Sequence, residues 1–166
     1  MYAHGKGNKV MLKIYLAGPD VFRLNAVTVL QAKKEKLEAL GYEVLTPLDN
    51  TPEQPSALQI ANANLEMIHD CDIILADVQP FRGTEPDSGT VLEIGFALAL
   101  GKAVCTYNNP KASYKKRLES WDENLGETLG GLEFVPEAFG LKQNLMISCN
   151  CAEFESFDSF LDSHSC

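Results

Sequence analysis

The sequence predicts an α/β protein, a three-layer sandwich built around a central parallel sheet of about five strands. Short apolar, β-favouring segments alternate along the chain with longer segments of helical periodicity. One of the short segments is almost entirely apolar, which is typical of a strand covered on both faces. The chain has 166 residues, which is enough for one domain that buries its own hydrophobic core.

The first half of the chain contains three predicted strands and two predicted helices. Residues 1–11 are mostly polar, so we expect a flexible leader before a single domain over residues 12–166. Gly41 ends the first helix, and Ser56 with Gln59 predicts a capping box at the start of the second. The predicted elements are a strand over Leu12–Ala17, a helix over Asn25–Leu40, a strand over Tyr42–Leu45, a helix over Ser56–His69 and a buried strand over Ile73–Ala76.

The second half begins with a long polar loop and becomes less regular towards its end. Its predicted elements are the loop Asp77–Gly89, an apolar helix over Thr90–Leu100, a strand over Ala103–Tyr107, a helix over Ser113–Leu125, a mixed segment over Gly130–Cys151 and a helix over Phe154–Leu161. Alternating strands and helices imply a Rossmann-like or flavodoxin-like sheet, in which ligands bind beyond the carboxyl ends of the strands. Three loops therefore become candidates for the site: Gly18–Phe22, Pro47–Asn50 and Asp77–Gly89.

The charge balance narrows the possible ligands. The chain has 23 acidic and 14 basic residues, for a net charge of −9, which disfavours binding to nucleic-acid polymer or to anionic membranes. No apolar run approaches the length of about 18 residues that a membrane span needs. Small neutral ligands such as nucleosides remain compatible with this composition.

The motifs for cofactors and metals are missing from the sequence. There is no GxGxxG or Walker A motif, the three histidines are scattered, and Cys149 and Cys151 form a lone C-x-C without a second pair of ligands. We therefore expect no metal or organic cofactor. The five cysteines are odd in number and include no CxxC, which is typical of a reduced, cytoplasmic protein.

The strongest chemical signal is a pair of carboxylates around the start of the apolar helix. Asp87 stands six residues before Glu93, which we place in the first helical turn among apolar neighbours. A helix N-terminus favours an ionised carboxylate, and such a group in a dry pocket can attack an electrophilic carbon. Thr90-x-x-Glu93 also fits a capping box, and Asp87 fits a turn, so these residues alone leave structural roles open.

An ordered set of motifs resembles the nucleoside 2-deoxyribosyltransferase family. The matching pieces are Lys13–Pro19 (KIYLAGP), Pro47–Asn50 (PLDN), Asn64, Met67-Ile68, Asp70–Asp72, Ala76-Asp77, Pro80–Gly83 (PFRG), Glu85–Asp87 (EPD), Gly89-Thr90, Glu93–Gly95 (EIG), Gly140-Leu141 and Asn144–Met146 (NLM). They cover most of residues 13–146 in the expected order.

The resemblance implies a role for each matching residue. Glu93 matches the nucleophile, Asp87 a carboxylate that contacts the substrate, and Tyr15 a tyrosine whose hydroxyl holds the nucleophile. Asn144 matches an asparagine that reaches sugar hydroxyls from a neighbouring subunit, which implies a homo-oligomer, a dimer or a higher even number, with shared sites. The substrate-binding positions that the resemblance implies are Gly18, Phe22, Asp49, Asn64, Asp77, Arg82, Gly83, Asn144 and Met146.

The implied reaction transfers 2-deoxyribose between free nucleobases through a deoxyribosyl ester of Glu93. One position departs from the family pattern, because Asn64 stands where some members have an aspartate that handles the proton of the base. An amide cannot act as that acid, so Asp87, Asp49 and Asp77 become candidates for the proton donor.

Two other functions compete with this interpretation. The first is a 2′-deoxynucleoside 5′-monophosphate N-glycosidase, whose members resemble this chain but have a serine-containing phosphate turn and no acid at the place of Asp87. Here the turn reads Gly18-Pro19-Asp20, and Asp87 would repel a phosphate. The second is a nucleotide-binding module without catalysis, which would not need both Asp87 and Glu93.

Overall fold

The structure is a computed structural model that describes residues 11–49, 53–122 and 137–165. The predicted leader except Met11, the residue Asn50 of the PLDN motif, the end of the Ser113–Leu125 helix and the beginning of the Gly130–Cys151 segment lie outside the described residues. The expectation of a single domain over residues 12–166 stays a prediction.

Five strands form one sheet in the order β2-β1-β3-β4-β5, and every neighbouring pair is parallel. The strands are β1 (Lys13–Ala17), β2 (Glu43–Leu45), β3 (Ile73–Asp77), β4 (Ala103–Tyr107) and β5 (Ala152–Glu153). This is the flavodoxin-like strand order, with its switch point between β1 and β3. The predicted fold class is therefore confirmed.

Helices connect the strands and cover both faces of the sheet. They are α1 (Ala26–Ala39), α2 (Ala57–Asp70), α3 (Ser88–Ala99), α4 (Tyr114–Asp122), the short α5 (Leu145–Ser148) and α6 (Phe157–His164). A 3₁₀ turn over Pro19–Phe22 follows β1. The predicted capping box is present, because the Ser56 side chain accepts from the backbone N–H of Gln59 while Gln59 reciprocates.

Two helices begin two or more residues away from their predicted start. Helix α3 starts at Ser88, two residues before the predicted Thr90, because Asp87 caps it. Helix α6 starts at Phe157 rather than Phe154, because the Phe154 N–H donates to the carbonyl of Thr106 and continues the edge of the sheet (2.7 Å).

Alternation along the strands divides the core into two apolar layers. In β1, Tyr15 and Ala17 face the layer shared with α2 and α3, while Ile14 and Leu16 face the layer shared with α1 and α6. Strand β3 contributes buried side chains to both layers, as its apolar sequence predicts. The layer that receives Tyr15 is the one that supports the site.

Among the residues that the structure describes, no helix combines the length and the apolar character that crossing a membrane requires.

Candidate active site

A cavity of about 340 Å³ opens at the carboxyl ends of β1 and β2, beside the switch in strand order. The 3₁₀ turn after β1, the loop after β2, helix α2 and the start of α3 form its walls. The residues that line it are Gly18, Val21, Phe22, Pro47, Leu48, Ile60, Asn64, Asp87, Gly89, Thr90 and Glu93. This is the position that the topology of an open parallel sheet favours for a ligand.

Tyr15 and Glu93 meet at the floor of this cavity, although 78 residues separate them in the chain. The hydroxyl of Tyr15 donates a hydrogen bond to Oε1 of Glu93 at 2.8 Å. Tyr15 is fully buried in the sheet, and burial together with the neighbouring Glu93 raises its pKa far above the ordinary value. The phenol therefore stays neutral and acts as a fixed donor to the carboxylate.

Glu93 carries an unusual electrostatic environment. Burial raises its pKa to about 7, the hydrogen bond from Tyr15 lowers it, and the nearby charge of Asp87 raises it. Among the described residues, no lysine, arginine or histidine forms an ion pair with Glu93 or Asp87. We call Asp87 and Glu93 the cavity pair: two carboxylates in one cavity without a bound cation.

The capping alternative for Glu93 is wrong. Glu93 is the sixth residue of α3 rather than a first-turn residue, and its side chain bonds to Tyr15. The cap is Asp87, whose Oδ2 accepts from the Thr90 N–H at 3.1 Å. Because Asp87, Thr90 and Glu93 are spaced by three residues, they share one helical face, and that face lines the cavity.

Asn64 contributes an acceptor that has no partner. It lies one helical turn after Ile60 on α2, so both side chains face the cavity. Its Oδ1 is buried and accepts no hydrogen bond. An unsatisfied buried carbonyl costs about 1–3 kcal/mol, which a ligand that donates an N–H or O–H would offset.

Asp77 lies beneath the cavity rather than in its lining. It forms a buried group with Asp20, Lys33 and Tyr107, which we call the Lys33 cluster. The Lys33 ammonium donates to Asp20 Oδ2 at 2.5 Å and to the Tyr107 hydroxyl at 2.8 Å, and it lies 3.9 Å from Asp77 Oδ2. Burial raises the pKa of Asp77, while the Gln79 N–H and Lys33 lower it.

Asp49 also lies outside the cavity lining. Its Oδ2 accepts from the Thr46 N–H at 2.8 Å and from the Lys34 ammonium at 3.1 Å. These bonds order the loop after β2, which presents Pro47 and Leu48 to the cavity. Of the three candidates for the proton donor, Asp87 alone lines the cavity.

Arg82 and Gly83 lie on the loop between β3 and α3, outside the lining. The Phe22 and Phe81 rings stack with centroids 5.2 Å apart, and the Arg82 guanidinium carbon lies 5.1 Å and 4.7 Å from their centroids. Phe22 lines the cavity, so Arg82 and Phe81 support the outer side of this wall.

Asn144 and Met146 are also absent from the lining of their own chain's cavity. Asn144 caps α5: its Oδ1 accepts from the Met146 N–H at 3.0 Å, and its Nδ2 donates to Glu137 Oε1 at 2.8 Å. The Met146 side chain is exposed.

The structure thus brings together five of the twelve predicted site residues in one cavity, with Tyr15 beneath them. Sequence reasoning missed part of the lining, namely Val21, Pro47, Leu48, Ile60, Gly89 and Thr90. The candidate loops contain Val21, Pro47, Leu48 and Gly89, and a matched motif contains Thr90, whereas Ile60 is an apolar helix residue that nothing in the sequence distinguishes. Within the described ranges, no group of three or more His, Cys, Asp or Glu side chains is placed to hold a metal ion.

Comparisons with known proteins agree on one family. The family model described as nucleoside 2-deoxyribosyltransferase matches residues 14–146. Among solved structures, a 2-desoxiribosyltransferase from Leishmania mexicana is 33% identical with a TM-score of 0.72, and the match covers 92% of this chain and 97% of that one.

Two further matches are more distant. A 2-deoxyribosyltransferase from Bacillus psychrosaccharolyticus is 23% identical with a TM-score of 0.58 over 90% of each chain. An uncharacterized protein from Schizosaccharomyces pombe is 29% identical over 143 residues, which is 77% of this chain and 68% of that protein. The chain belongs to the nucleoside 2-deoxyribosyltransferase family, a family of enzymes.

Proposed function

We propose that this protein transfers 2-deoxyribose between nucleobases through a covalent deoxyribosyl ester of Glu93. The observation that carries the proposal is the hydrogen bond of 2.8 Å from the buried Tyr15 to Glu93 Oε1, at the floor of a cavity of nucleoside size. A glutamate that lacks a cation, faces a cavity and is held by a neutral phenol has the arrangement of a nucleophile rather than of a structural ion pair.

In the first step, a Glu93 oxygen attacks the anomeric carbon of a 2′-deoxynucleoside. The new C–O bond forms as the C–N bond breaks, and the electron pair of that bond goes to the leaving nitrogen. Tyr15 holds Oε1, which leaves Oε2 free to attack. The transition state has oxocarbenium character, and the adjacent carboxylate stabilises its positive charge.

In the second step, a nitrogen of another base attacks the same carbon from the vacated face. The ester bond breaks, Glu93 is regenerated as a carboxylate, and the incoming nitrogen gives its proton to Asp87, which the first step left as a carboxylate. Two displacements give net retention at the anomeric carbon. Attack by water instead of a base would give hydrolysis.

Asp87 and Asn64 supply recognition beside the nucleophile. Asp87 accepts from the Thr90 N–H through Oδ2, and its carboxylate can also receive a sugar hydroxyl in the cavity. The unpartnered Oδ1 of Asn64 can accept an N–H of the base. Asp87 is the proposed source of the proton for the leaving base, because Asp49 and Asp77 do not line the cavity; its carboxyl enters this step protonated and leaves it as a carboxylate.

The covalent step has a direct test. We expect incubation with a slowly reacting deoxynucleoside, quenching and peptide mass spectrometry to find one deoxyribosyl group on Glu93, with no adduct in Glu93→Gln. Chromatography of a reaction with deoxyinosine and free adenine should show deoxyadenosine. Deoxyribose release without deoxyadenosine would indicate a hydrolase, and the absence of both would leave a binding module.

Asn144 is proposed to complete the cavity of a second subunit. It does not line its own chain's cavity, and it lies far along the chain in a motif that resembles the intersubunit segment of the family. Closed two-fold assemblies give each site the same residue from the partner. The assembly would be a dimer or a higher even number.

Subunit mixing tests this arrangement. Inactive Glu93→Ala protein and inactive Asn144→Ala protein are combined under conditions where native mass spectrometry shows exchange. Each mixed pair then has one site with both defects and one with neither, so activity should return towards half of the normal value per mixed pair. Exchange without recovered activity would contradict the shared site.

A further inference from the structure

Arg117 on helix α4 contacts three separate segments of the chain. Its Nε donates to the carbonyl of Thr84 at 3.4 Å, its Nη1 to Ala112 at 3.1 Å and to Lys142, and its Nη2 to Gln143 Oε1 at 3.3 Å. A guanidinium has five N–H donors in a rigid planar fork, which suits this distribution of acceptors. Arg117 lies outside the cavity and is not in any of the matched motifs.

Two of these segments carry proposed site residues. Thr84 lies in the loop that follows β3 and ends at Asp87, the cap of α3. Lys142 and Gln143 immediately precede Asn144. Arg117 therefore joins the loop that carries Asp87 to the segment that carries Asn144.

Gln143 makes a second connection between the same two segments. Its side chain is completely buried, and its Nε2 donates to the carbonyl of Val78 at 2.9 Å, at the beginning of the Asp87 loop. Its Oε1 is the atom that accepts from Arg117. The arginine fork and the buried amide thus form one continuous network between the segments.

We propose that Arg117 is a positioning residue that holds the Asp87 loop and the Asn144 segment in one fixed arrangement. The consequence for catalysis rests on the proposed function. In a shared-site oligomer, the same arginine orders the Asp87 loop of its own subunit and the Asn144 that serves the partner. Without the fork, both segments gain freedom, and misplacement of about 1 Å near a reacting centre costs on the order of 100-fold in rate.

The test compares Arg117→Met with Lys116→Met, which removes the same charge from an exposed neighbour on the same helix. We expect kcat/KM for deoxyinosine to fall about 10- to 100-fold in Arg117→Met and to stay within twofold of wild type in Lys116→Met. Hydrogen exchange should become faster at residues 78–87 and 141–148 together and remain unchanged in α1. Arg117→Lys keeps the charge but not the fork, so we expect it to remain at least about fivefold below wild type.

Mixing Arg117→Met protein with Glu93→Ala protein separates the effect of Arg117 on the Asp87 loop from its effect on the Asn144 segment. In a mixed pair, the intact Glu93 belongs to the Arg117→Met subunit. The Asp87 loop of that subunit is loosened, while the Asn144 segment that its partner supplies is intact. Because the loop defect remains in that site, we expect activity to stay low. Full recovery would mean that Arg117 acts on the Asn144 segment alone and would overturn the joint role.

Two further outcomes would also overturn the proposal: kcat/KM equal to that of Lys116→Met, or faster exchange in only one segment. If Arg117→Met does not fold, Arg117→Lys takes its place in every measurement. If wild-type protein neither transfers nor hydrolyses deoxyribose, the proposed function fails, while the exchange data still decide whether Arg117 joins the segments.

Discussion

Two groups of carboxylates lie near the carboxyl ends of the strands, and they differ in charge balance. In the Lys33 cluster, Asp20 bonds to Lys33 and to Arg23, Tyr107 accepts from Lys33, and Asp77 has Lys33 at 3.9 Å. The cavity pair also has a tyrosine, but no cation bonds to either carboxylate among the described residues. In the first group Asp20, Asp77 and Tyr107 are buried, whereas the carboxylates of the second group line a cavity.

The comparison teaches how to separate structural from chemical carboxylates. Carboxylate, tyrosine and strand end occur in both groups, so residue type alone does not distinguish them. The charge of a buried carboxylate with a bound lysine is compensated, and the carboxylate is compatible with a stable fold only while that lysine stays in place. A carboxylate held by a phenol alone keeps its charge uncompensated and available for a substrate that develops positive charge.

The largest expected effect follows replacement of the cavity nucleophile. We expect Glu93→Gln to lower transfer by at least about three orders of magnitude, because the amide cannot form the ester while Tyr15 can still donate to its oxygen. Initial rates with deoxyinosine and adenine give the measurement. Turnover within tenfold of wild type would show that Glu93 is not the nucleophile. The contrast between the cavity pair and the Lys33 cluster would then not hold.

The same variant should gain stability with a defined pH dependence. The folded pKa of about 7 lies above the ordinary 4.5, so ionisation of Glu93 costs stability as pH rises between these values. We expect Glu93→Gln to exceed wild type by about 3 kcal/mol at pH 8 and to approach it below pH 4.5, measured by urea unfolding. Equal stabilities at both pH values would contradict an uncompensated charge.

The next expected effect is a loss of stability when the Lys33 cluster loses its lysine. We expect Lys33→Met to lower the free energy of unfolding by about 3–5 kcal/mol, because it leaves the buried Asp77 without its cation and the buried Asp20 with only the half-exposed Arg23. Lys36→Met on the same helix loses an exposed pair with Asp158 and a contact of its ammonium with the Phe157 ring at 6.0 Å, and it should cost about 1 kcal/mol or less. Adding Asp20→Asn to Lys33→Met should recover part of the loss, and its failure to do so would argue against charge balance.

A smaller effect is expected in the pH profile of the wild type. The attacking carboxylate must be ionised, so kcat/KM should rise about tenfold per pH unit as the pH increases towards 7. The measurement is kcat/KM for deoxyinosine from pH 5 to 9. A flat profile across pH 7 would mean that Glu93 is already ionised at lower pH and that its environment resembles that of the carboxylates in the Lys33 cluster.

The smallest expected effect separates two roles of Asp87, which are capping helix α3 and placing a negative charge beside the substrate. Serine also caps helices well, so Asp87→Ser should leave stability within a few tenths of a kcal/mol, whereas Asp87→Ala should lose about 1 kcal/mol. Both variants remove the charge, so we expect the efficiency ratio of deoxyinosine over its 5′-monophosphate to fall in both. An unchanged ratio would confine Asp87 to capping.

Periodicity and turn residues predicted most of the architecture. The alternation of apolar strands and helices gives the parallel sheet, and Ser56 with Gln59 gives the start of α2. Phe154 was assigned to a helix, because local propensity does not report its hydrogen bond to Thr106 at the sheet edge.

The site was predictable only in part. The motifs predicted Glu93 and Tyr15 as partners, but spacing alone also allowed a cap, and the cap turned out to be Asp87. No local pattern predicts that Lys33 reaches Asp77 from another element, or that Arg117 joins two segments. Both depend on contacts between residues distant in sequence, which the fold alone creates.

Gly18 limits how this protein can be redesigned. Its φ of +146° is unfavourable for a side chain, and a Cβ there would lie 2.7 Å from the Cβ of Asp77. A mutant library at this position should therefore yield almost no folded protein. Efforts to accept bulkier bases should instead vary Leu48 and Ile60, two partly exposed residues of the cavity wall whose shortening enlarges the opening without disturbing the Lys33 cluster.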